Sequence, residues 1–226
     1  MKINYLTHNW LIKSLLENEV QRMLRSYSSG KLLDIGCGDR PYYDLGKNYF
    51  DSYIGIDHSS TPHLNNKIDI FCDAYKIPLD DEVFDCILCT EVLEHLEEPS
   101  VAIDEAFRLL KKGGYALYTV PFSWPVHESP RDFYRYTGYG LQYLFEKSGF
   151  EIAEIRALDG FAVKLIQSLT YALWALRKGG PINPLWWIIP FLGAIMQSIA
   201  YILNKHRSSF DSPHTDHYSI VARKPV

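Results

Sequence analysis

The sequence predicts an α/β fold, a parallel sheet covered by helices on both faces. Three observations predict it. Short continuous apolar runs such as "KLLDIG" and "FDCILCT" read as strands buried on both sides. Helical apolar periodicity occupies stretches between them. The first run ends in a glycine-rich turn, "DIGCGDRP", at the place where sheets of this kind take a ligand.

The elements follow in order. Trp10, Leu11, Leu15, Leu16, Val20, Met23, Leu24 and Tyr27 recur at helical spacing, and Ser28, Ser29 and Gly30 end that helix. "KLLDIG" is the first strand, "SYIGID" (Ser52 to Asp57) the second and "KIDIFCD" (Lys67 to Asp73) the third. "FDCILCT" (Phe84 to Thr90) is the fourth, followed by a helix through "VAIDEAFRLLKKGG" and a fifth strand, "YALYTVP". "TGYGLQYLFEKSGFEIAEIRAL" supplies a helix and a sixth strand starting near Phe150, and "HYSIVARKP" alternates like a seventh. Between the last two lies a long apolar segment, Phe161 to Asn204, cut into two helical halves by "RKGGPINP".

The chain has 226 residues, a length that fits one large domain. The expected division is an N-terminal helix over 1–30, a core over 31–160 and 211–226, and an apolar insertion over 161–204. With 47% hydrophobic and 22% charged residues, a packed core is expected and disorder is not. A net charge of -4 gives no electrostatic case for wrapping nucleic acid. Cys37, Cys72, Cys86 and Cys89 fall in or beside strands, which suits reduced thiols in a cytoplasmic protein. Cys86 and Cys89 form a CxxC, but residues three apart in a strand point to opposite faces, so buried packing is expected rather than a metal knuckle. The N-terminus reads as carrying no secretory signal.

The turn narrows the ligand. Gly36 suits a positive φ, and Gly38 allows close approach to the backbone. A dinucleotide site would have a third glycine at position 41 and aim a helix N-terminus at a pyrophosphate. Pro41 stands there and removes an N–H that a phosphate would use. An adenosine cofactor without phosphates fits better. Asp57, about 20 residues on, can accept both ribose hydroxyls, and Asp73 can accept from an exocyclic amine. Acidic strand ends with no basic residue beside them suit a cationic ligand.

"LLDIGCG", "YIGID", "FCDAYKIPLDDEVFDCILCTEVLEHL" and "LLKKGGYALYTVP" resemble, in order, the motifs of class I S-adenosylmethionine-dependent methyltransferases, in the small-molecule subgroup called methyltransferase type 11. The resemblance covers Lys31 to Pro121 and returns at "HYSIVARKP". It implies a Rossmann-like seven-stranded sheet of order 3-2-1-4-5-7-6 with the seventh strand antiparallel. It implies S-adenosylmethionine as cofactor and S-adenosylhomocysteine as product. Carried over, Asp34, Gly36 and Gly38 line the methionine and ribose side, Asp57 holds the ribose hydroxyls, Asp73 the adenine amine, and Thr90 and Glu91 lie near the methionine part.

Methyl transfer from a sulfonium needs positioned reactants and, for a hydroxyl acceptor, a proton acceptor. The stretch "PFSWPVHESPRDFYRYTGYG" after the fifth strand is dense in polar and aromatic residues. It resembles the "HExPxDFYRYT" segment of a subset of these enzymes, many associated with cell-surface glycan or lipid pathways. His127 is the expected general base, with Glu128 and Asp132 as its catalytic neighbours. The plainer reading is a hydrogen bond between His127 and Glu128 that orders the loop, with Arg131 or Arg135 paired to Asp132. The acceptor expected is a hydroxyl on a saccharide or lipid-linked metabolite.

Two alternatives accompany this reading. If "EVLEHL" is helical, Glu91 and His95 share a face with Glu94 adjoining, and with His127 they would suit a divalent metal. That pattern is similar to the metal site of certain RNA 2′-O-methyltransferases and quinone-pathway O-methyltransferases. A metal is not the favoured reading. The other alternative is a non-catalytic chain that binds cofactor and uses its apolar hairpin as a membrane or partner module. Leu185 to Leu203 carries no charge over about 19 residues, near a bilayer-spanning length. If the strands on either side share one sheet, a single span is impossible, and a spanning hairpin would carry Arg177 and Lys178 through the bilayer. A hairpin on the membrane surface, a lid over the site and a homodimer contact remain as readings, and Trp174, Trp186 and Trp187 suit an interface.

Overall fold

Strands form where the short apolar runs were read. They are β1 (Lys31–Ile35), β2 (Ser52–Asp57), β3 (Ile70–Phe71), β4 (Phe84–Thr90), β5 (Leu110–Pro121), β6 (Glu151–Ala157) and β7 (His217–Arg223). In the computed structural model, which describes residues 4–60, 67–204 and 214–226, they join one seven-stranded sheet of order β3-β2-β1-β4-β5-β7-β6. Pairing is parallel from β3 across to β5, and β7 runs antiparallel to β5 from Tyr115↔Arg223 to Pro121↔His217. This is the expected Rossmann-like order. Residues 1–3 of the expected N-terminal segment and 211–213 of the expected core return lie outside the described residues.

Helix α1 (Trp10–Ser26) and the four-residue α2 (Tyr43–Gly46) flank β1 in sequence. Helix α3 (Pro99–Leu109) begins with Pro99, whose missing N–H costs nothing in a first turn, and buries Ala102, Ile103, Ala106 and Leu109. Helix α4 (Gly138–Lys147) is capped by Thr137, whose side chain accepts from Gly140 N at 3.0 Å. Helices α5 (Phe161–Trp174) and α6 (Leu185–Asn204) follow, separated by a 3₁₀ turn at Gly180–Ile182.

The chain divides into two compact units, Val20–Arg156 with His217–Val226, and Met1–Glu19 with Ala157–Asp216. In the larger unit, Val20, Met23 and Leu24 of α1 pack with Leu32, Cys86, Leu88, Leu117 and Val221 of the central strands. These side chains are buried on one sheet face and Leu33, Ile87, Cys89, Ala116 and Tyr118 on the other, which is why the strands read as continuous apolar runs. All four cysteines are free, and Cys86 and Cys89 are buried in β4. In the smaller unit, α5 and α6 pack on each other, with Val163, Gln167 and Thr170 buried on α5 and Ile189, Gly193 and Gln197, spaced four apart, buried on α6. The Gln197 amide accepts from Leu11 N at 3.1 Å and donates to Thr7 O at 3.1 Å, so its buried polar atoms are satisfied.

Two boundaries differ from expectation. The third strand is two residues, not Lys67 to Asp73, so Asp73 lies in the turn beyond it. The helix expected through Gly114 ends at Leu109, and Leu110 opens β5 opposite Phe84. Gly113 takes φ +80°, and a Cβ on Gly114 would sit 2.9 Å from Asp85 O. The "KKGG" run is thus an irregular strand start, with a register shift between Phe84 and Cys86 that only its partner strand defines.

Candidate active site

The sheet order reverses between β1 and β4, so the connections after these strands diverge and leave a crevice at their carboxyl ends. The glycine turn sits there. Gly36 has φ +70°, and a Cβ on it would lie 2.4 Å from Val92 Cγ2, so glycine is required for both backbone and space. Gly36 N and Cys37 N both donate to Ile56 O, at 2.9 and 3.0 Å. Gly38 N donates to Asp57 Oδ2 at 2.7 Å, and Arg40 N to Cys37 O at 2.8 Å. These amides hold the turn itself, which is the physical reason it does not make a phosphate cradle.

Asp57 ends β2 and accepts from Gly38 N and from His58 N at 2.7 Å, one on each carboxylate oxygen. It is partly exposed, and each oxygen keeps a further lone pair. Asp34 is 2% exposed and accepts from the Tyr53 hydroxyl. Burial pushes its carboxyl up to about 7, against the opposing Tyr53 bond and Arg40 charge. The acidic strand ends are not free of basic residues, contrary to expectation. Arg40, at φ 55°, pairs with Asp69 and packs beside Tyr43 and Tyr53, with ring centroids 5.2 and 5.4 Å away. A Cβ on Gly55 would fall 2.6 Å from Arg40 Nε, so the small residue in β2 makes room for this guanidinium. Asp73 is exposed and accepts from Tyr75 N at 3.0 Å.

The "EVLEHL" stretch is not an α-helix. Thr90 ends β4, Glu91 turns into the left-handed region at φ 54°, and Leu93–His95 forms one 3₁₀ turn. Glu91 and His95 therefore do not share a helix face. Glu91 N donates to Thr119 O at 3.0 Å, and Glu91 Oε2 lies 3.1 Å from Nε2 of the buried His217. Burial would raise the Glu91 carboxyl, but His217 outweighs it and holds the group below its ordinary value.

Glu94 goes the other way. It is fully buried, and neither carboxylate oxygen has a hydrogen-bond partner among the described residues. Burial, then the Glu91 charge, drives its carboxyl well above the usual carboxylate range. His95 Nε2 lies 3.6 Å from Glu94 Oε1 and 3.9 Å from Glu128 Oε2, while its Nδ1 contacts Arg131 O. A carbonyl oxygen can only accept, so Nδ1 carries the proton and a neutral ring leaves Nε2 a bare lone pair. The His95 and His127 rings meet edge to face at 4.8 Å. Glu94, His95 and His127 each offer one ligand atom, all within 4.8 Å of one another.

The expected catalytic stretch is stapled onto this turn. Phe133 N and Tyr134 N donate to Glu94 O at 2.8 and 3.3 Å, the Tyr136 hydroxyl to Leu93 O at 2.8 Å, and the Tyr134 hydroxyl to Glu97 O at 2.9 Å. Asp132, whose side chain is 2% exposed, takes a two-pronged ion pair from Arg135 at 2.6 and 2.8 Å and accepts from His127 N at 2.8 Å. The Arg135 guanidinium holds its carboxyl far below the usual range. His127 Nδ1 is 3.4 Å from Asp132 Oδ2 and 3.3 Å from Pro125 O, with the ring 30% exposed. Glu128 is about half exposed, at φ 50°. Arg131 reaches Ser60 Oγ at 3.1 Å. Of the pairings weighed for Asp132, Arg135 is the one formed, and the same carboxylate takes the His127 backbone N–H. Sequence reasoning missed Arg40, Tyr53 and His217. None has a local signal, because each acts through a residue distant in sequence.

A family model described as a methyltransferase domain matches residues 10–155. The chain is 27% identical over 147 residues to a probable S-adenosylmethionine-dependent methyltransferase of Mycolicibacterium smegmatis, covering 59% of this chain and 57% of that one. It is 24% identical over 193 residues to a ubiquinone biosynthesis O-methyltransferase of Pseudomonas fluorescens, covering 75% and 76%. The chain spans about half the length of the first curated relatives it matches. A solved structure of a SAM-dependent methyltransferase from Archaeoglobus fulgidus shares the fold, with a TM-score of 0.60 at 18% identity over 94% of each chain.

Proposed function

The chain belongs to the methyltransferase domain family, and from that premise we propose that it transfers a methyl group from S-adenosylmethionine to a hydroxyl of a saccharide or lipid-linked metabolite. One observation carries the cofactor reading. Carboxylates gather at the carboxyl ends of β1, β2 and β4 around a glycine turn whose own amides are already engaged. Such a set of acceptors favours hydroxyls and positive charge and offers phosphate little. When bound, the cofactor supplies a methyl group activated on a sulfonium. Asp57 accepts from the ribose hydroxyls through its remaining lone pairs, and Asp73 from the adenine amine. Thr90 and Glu91 face the methionine part. Asp34, buried on Tyr53, positions the turn.

His127 is the base in this reading. Asp132 and Pro125 lie on its Nδ1 side. That leaves Nε2 to take the acceptor's proton, and Asp132 acts as a positioning residue through His127. The test pairs calorimetric titration of S-adenosylhomocysteine into wild type and Asp57→Ala with initial rates on an acceptor extract. Expected are micromolar binding that falls at least about tenfold in Asp57→Ala and turnover lost in His127→Ala. A well-folded wild type that binds no S-adenosylhomocysteine overturns the reading. Cofactor binding without turnover on any acceptor, nucleic acid included, supports the non-catalytic module instead.

The unpartnered oxygens of Glu94 favour a second reading, a metal-assisted O-methyltransferase. Glu94, His95 and His127 would hold a divalent ion, and Glu91, taken up by His217, would stay outside it. The ion would neutralise Glu94 and polarise the acceptor hydroxyl. Manganese titration followed by paramagnetic resonance tests this directly. Binding that Glu94→Gln abolishes supports it, and indifference to Glu94→Gln removes it.

A further inference from the structure

Helix α6 has two unlike faces. One is packed within its own unit and carries Gln197, bonded to Leu11 and Thr7. The other is an apolar stripe. Ile188, Phe191, Ile195, Ile199 and Ile202 recur at spacings of three and four, each from 50% to 67% exposed. Helix α5 adds exposed Phe161, Leu165 and Leu169 at four-residue spacing. Water-facing apolar rows of this length are rare on a soluble surface and mark something that covers them.

The charge pattern says what covers them. From Phe161 to Asn204 the charged residues are Lys164, Arg177 and Lys178, all cationic, with no Asp or Glu. At the turn between the helices, Arg177 is stacked between Trp174 and Trp186, its guanidinium carbon 4.3 and 4.1 Å from the ring centroids, and Lys178 is exposed. Trp187 is 60% exposed, with its indole N–H on Pro181 O. A second copy docked here would bring like charges together with no acid from this segment to meet them. A bilayer-crossing α6 would need Gln197 to leave its partners. An anionic lipid surface meets both the apolar stripe and the cations, with tryptophans at the boundary where they are favoured.

We propose that the α5–α6 hairpin lies flat on an anionic membrane, with the Ile188–Ile202 stripe in the acyl boundary and Arg177 and Lys178 at the headgroups. At about 1.5 Å per residue, α6 presents a contact of about 30 Å in the membrane plane. This surface uses no residue assigned above to methyl transfer.

The experiment is co-sedimentation of the full chain with phosphatidylcholine vesicles, with and without phosphatidylglycerol. Wild type is expected to pellet with the mixed vesicles and to remain mostly in the supernatant with phosphatidylcholine alone. Ile195→Glu combined with Ile199→Glu should abolish pelleting, and Arg177→Glu with Lys178→Glu should remove the preference for phosphatidylglycerol. Circular dichroism confirms that each variant is folded, and S-adenosylhomocysteine titration reads the cofactor site separately, so failure of one assignment is not failure of the other. A measurement without variants is quenching of wild-type tryptophan fluorescence by brominated acyl chains, expected only in mixed vesicles. A wild type that stays in the supernatant, equal pelleting with both vesicle types, or undiminished pelleting of the double isoleucine variant overturns the proposal. So does a lipid-free dimer that the isoleucine changes dissolve, which assigns the stripe to a second copy.

Discussion

Glu91 Oε2 lies 3.1 Å from His217 Nε2, tying the end of the parallel strand β4 to the first residue of the antiparallel strand β7. The bond joins residues 126 positions apart in sequence (217 less 91). It sits where Glu91 leaves the strand in a left-handed turn. His217 is 2% exposed, so its ring cannot exchange Glu91 for water without opening the site, while the Glu91 side chain is partly exposed.

His217→Ala strands the Glu91 charge. Removing one partner of a buried charged pair costs about 3 kcal/mol, and a urea midpoint near neutral pH reads it. The pH dependence has a definite sign. The folded Glu91 carboxyl is held below its ordinary 4.5, so its contribution is present above 4.5 and is lost as pH falls through the lowered folded value. The gap between wild type and His217→Ala is expected to narrow on acidification. A constant gap would show that the histidine serves packing alone.

Gly36→Ala collides with Val92 and forces a side chain onto φ +70°. Backbone strain and overpacking together are expected to lower stability by about 2–4 kcal/mol. Val92→Ala in the same chain should restore the steric part and leave the strain of about 1 kcal/mol. Thermal unfolding of the two single variants and the pair measures this, and additivity of the two losses would rule out direct contact.

Asp34→Asn should stabilise the protein at alkaline pH. The folded carboxyl titrates at about 7 against an ordinary 3.8. A raised value means that full stability is present below 3.8 and is lost as pH rises through 7. Asparagine keeps an acceptor for Tyr53 without the charge. The gain is expected to be absent at acid pH and to reach at most about 4 kcal/mol above neutrality. Melting temperatures across that range test it, and a gain that does not grow with pH would contradict the burial cause.

Asp132→Asn leaves the loop one acceptor but removes the charge that Arg135 grips. With His127 as base, kcat should fall about tenfold with little change in KM, and the pH profile of kcat should shift. Added to His127→Ala, the same change should cost almost nothing more. A variant that alters KM and stability but not the pH profile would mark Asp132 as structural only.

By itself the sequence determined the strand runs, the glycine turn, the acidic residue closing β2 and the two apolar helices. These depend on short-range causes. Burial on both sheet faces writes a continuous apolar run, a positive φ calls for glycine, and a helix face repeats at three and four. The tertiary structure decided what depends on partners far along the chain. Leu110 becomes strand because Phe84 lies opposite it, and β3 shortens to two residues. Glu91 leaves a helical pattern for His217, and Arg135, not Arg131, takes Asp132. Glu94, ordinary in sequence beside Glu97 and Glu98, becomes a carboxyl without partners because "DFYRYT" closes over its turn. A charge's environment belongs to the neighbours that folding assembles around it, and those neighbours are set by the whole chain.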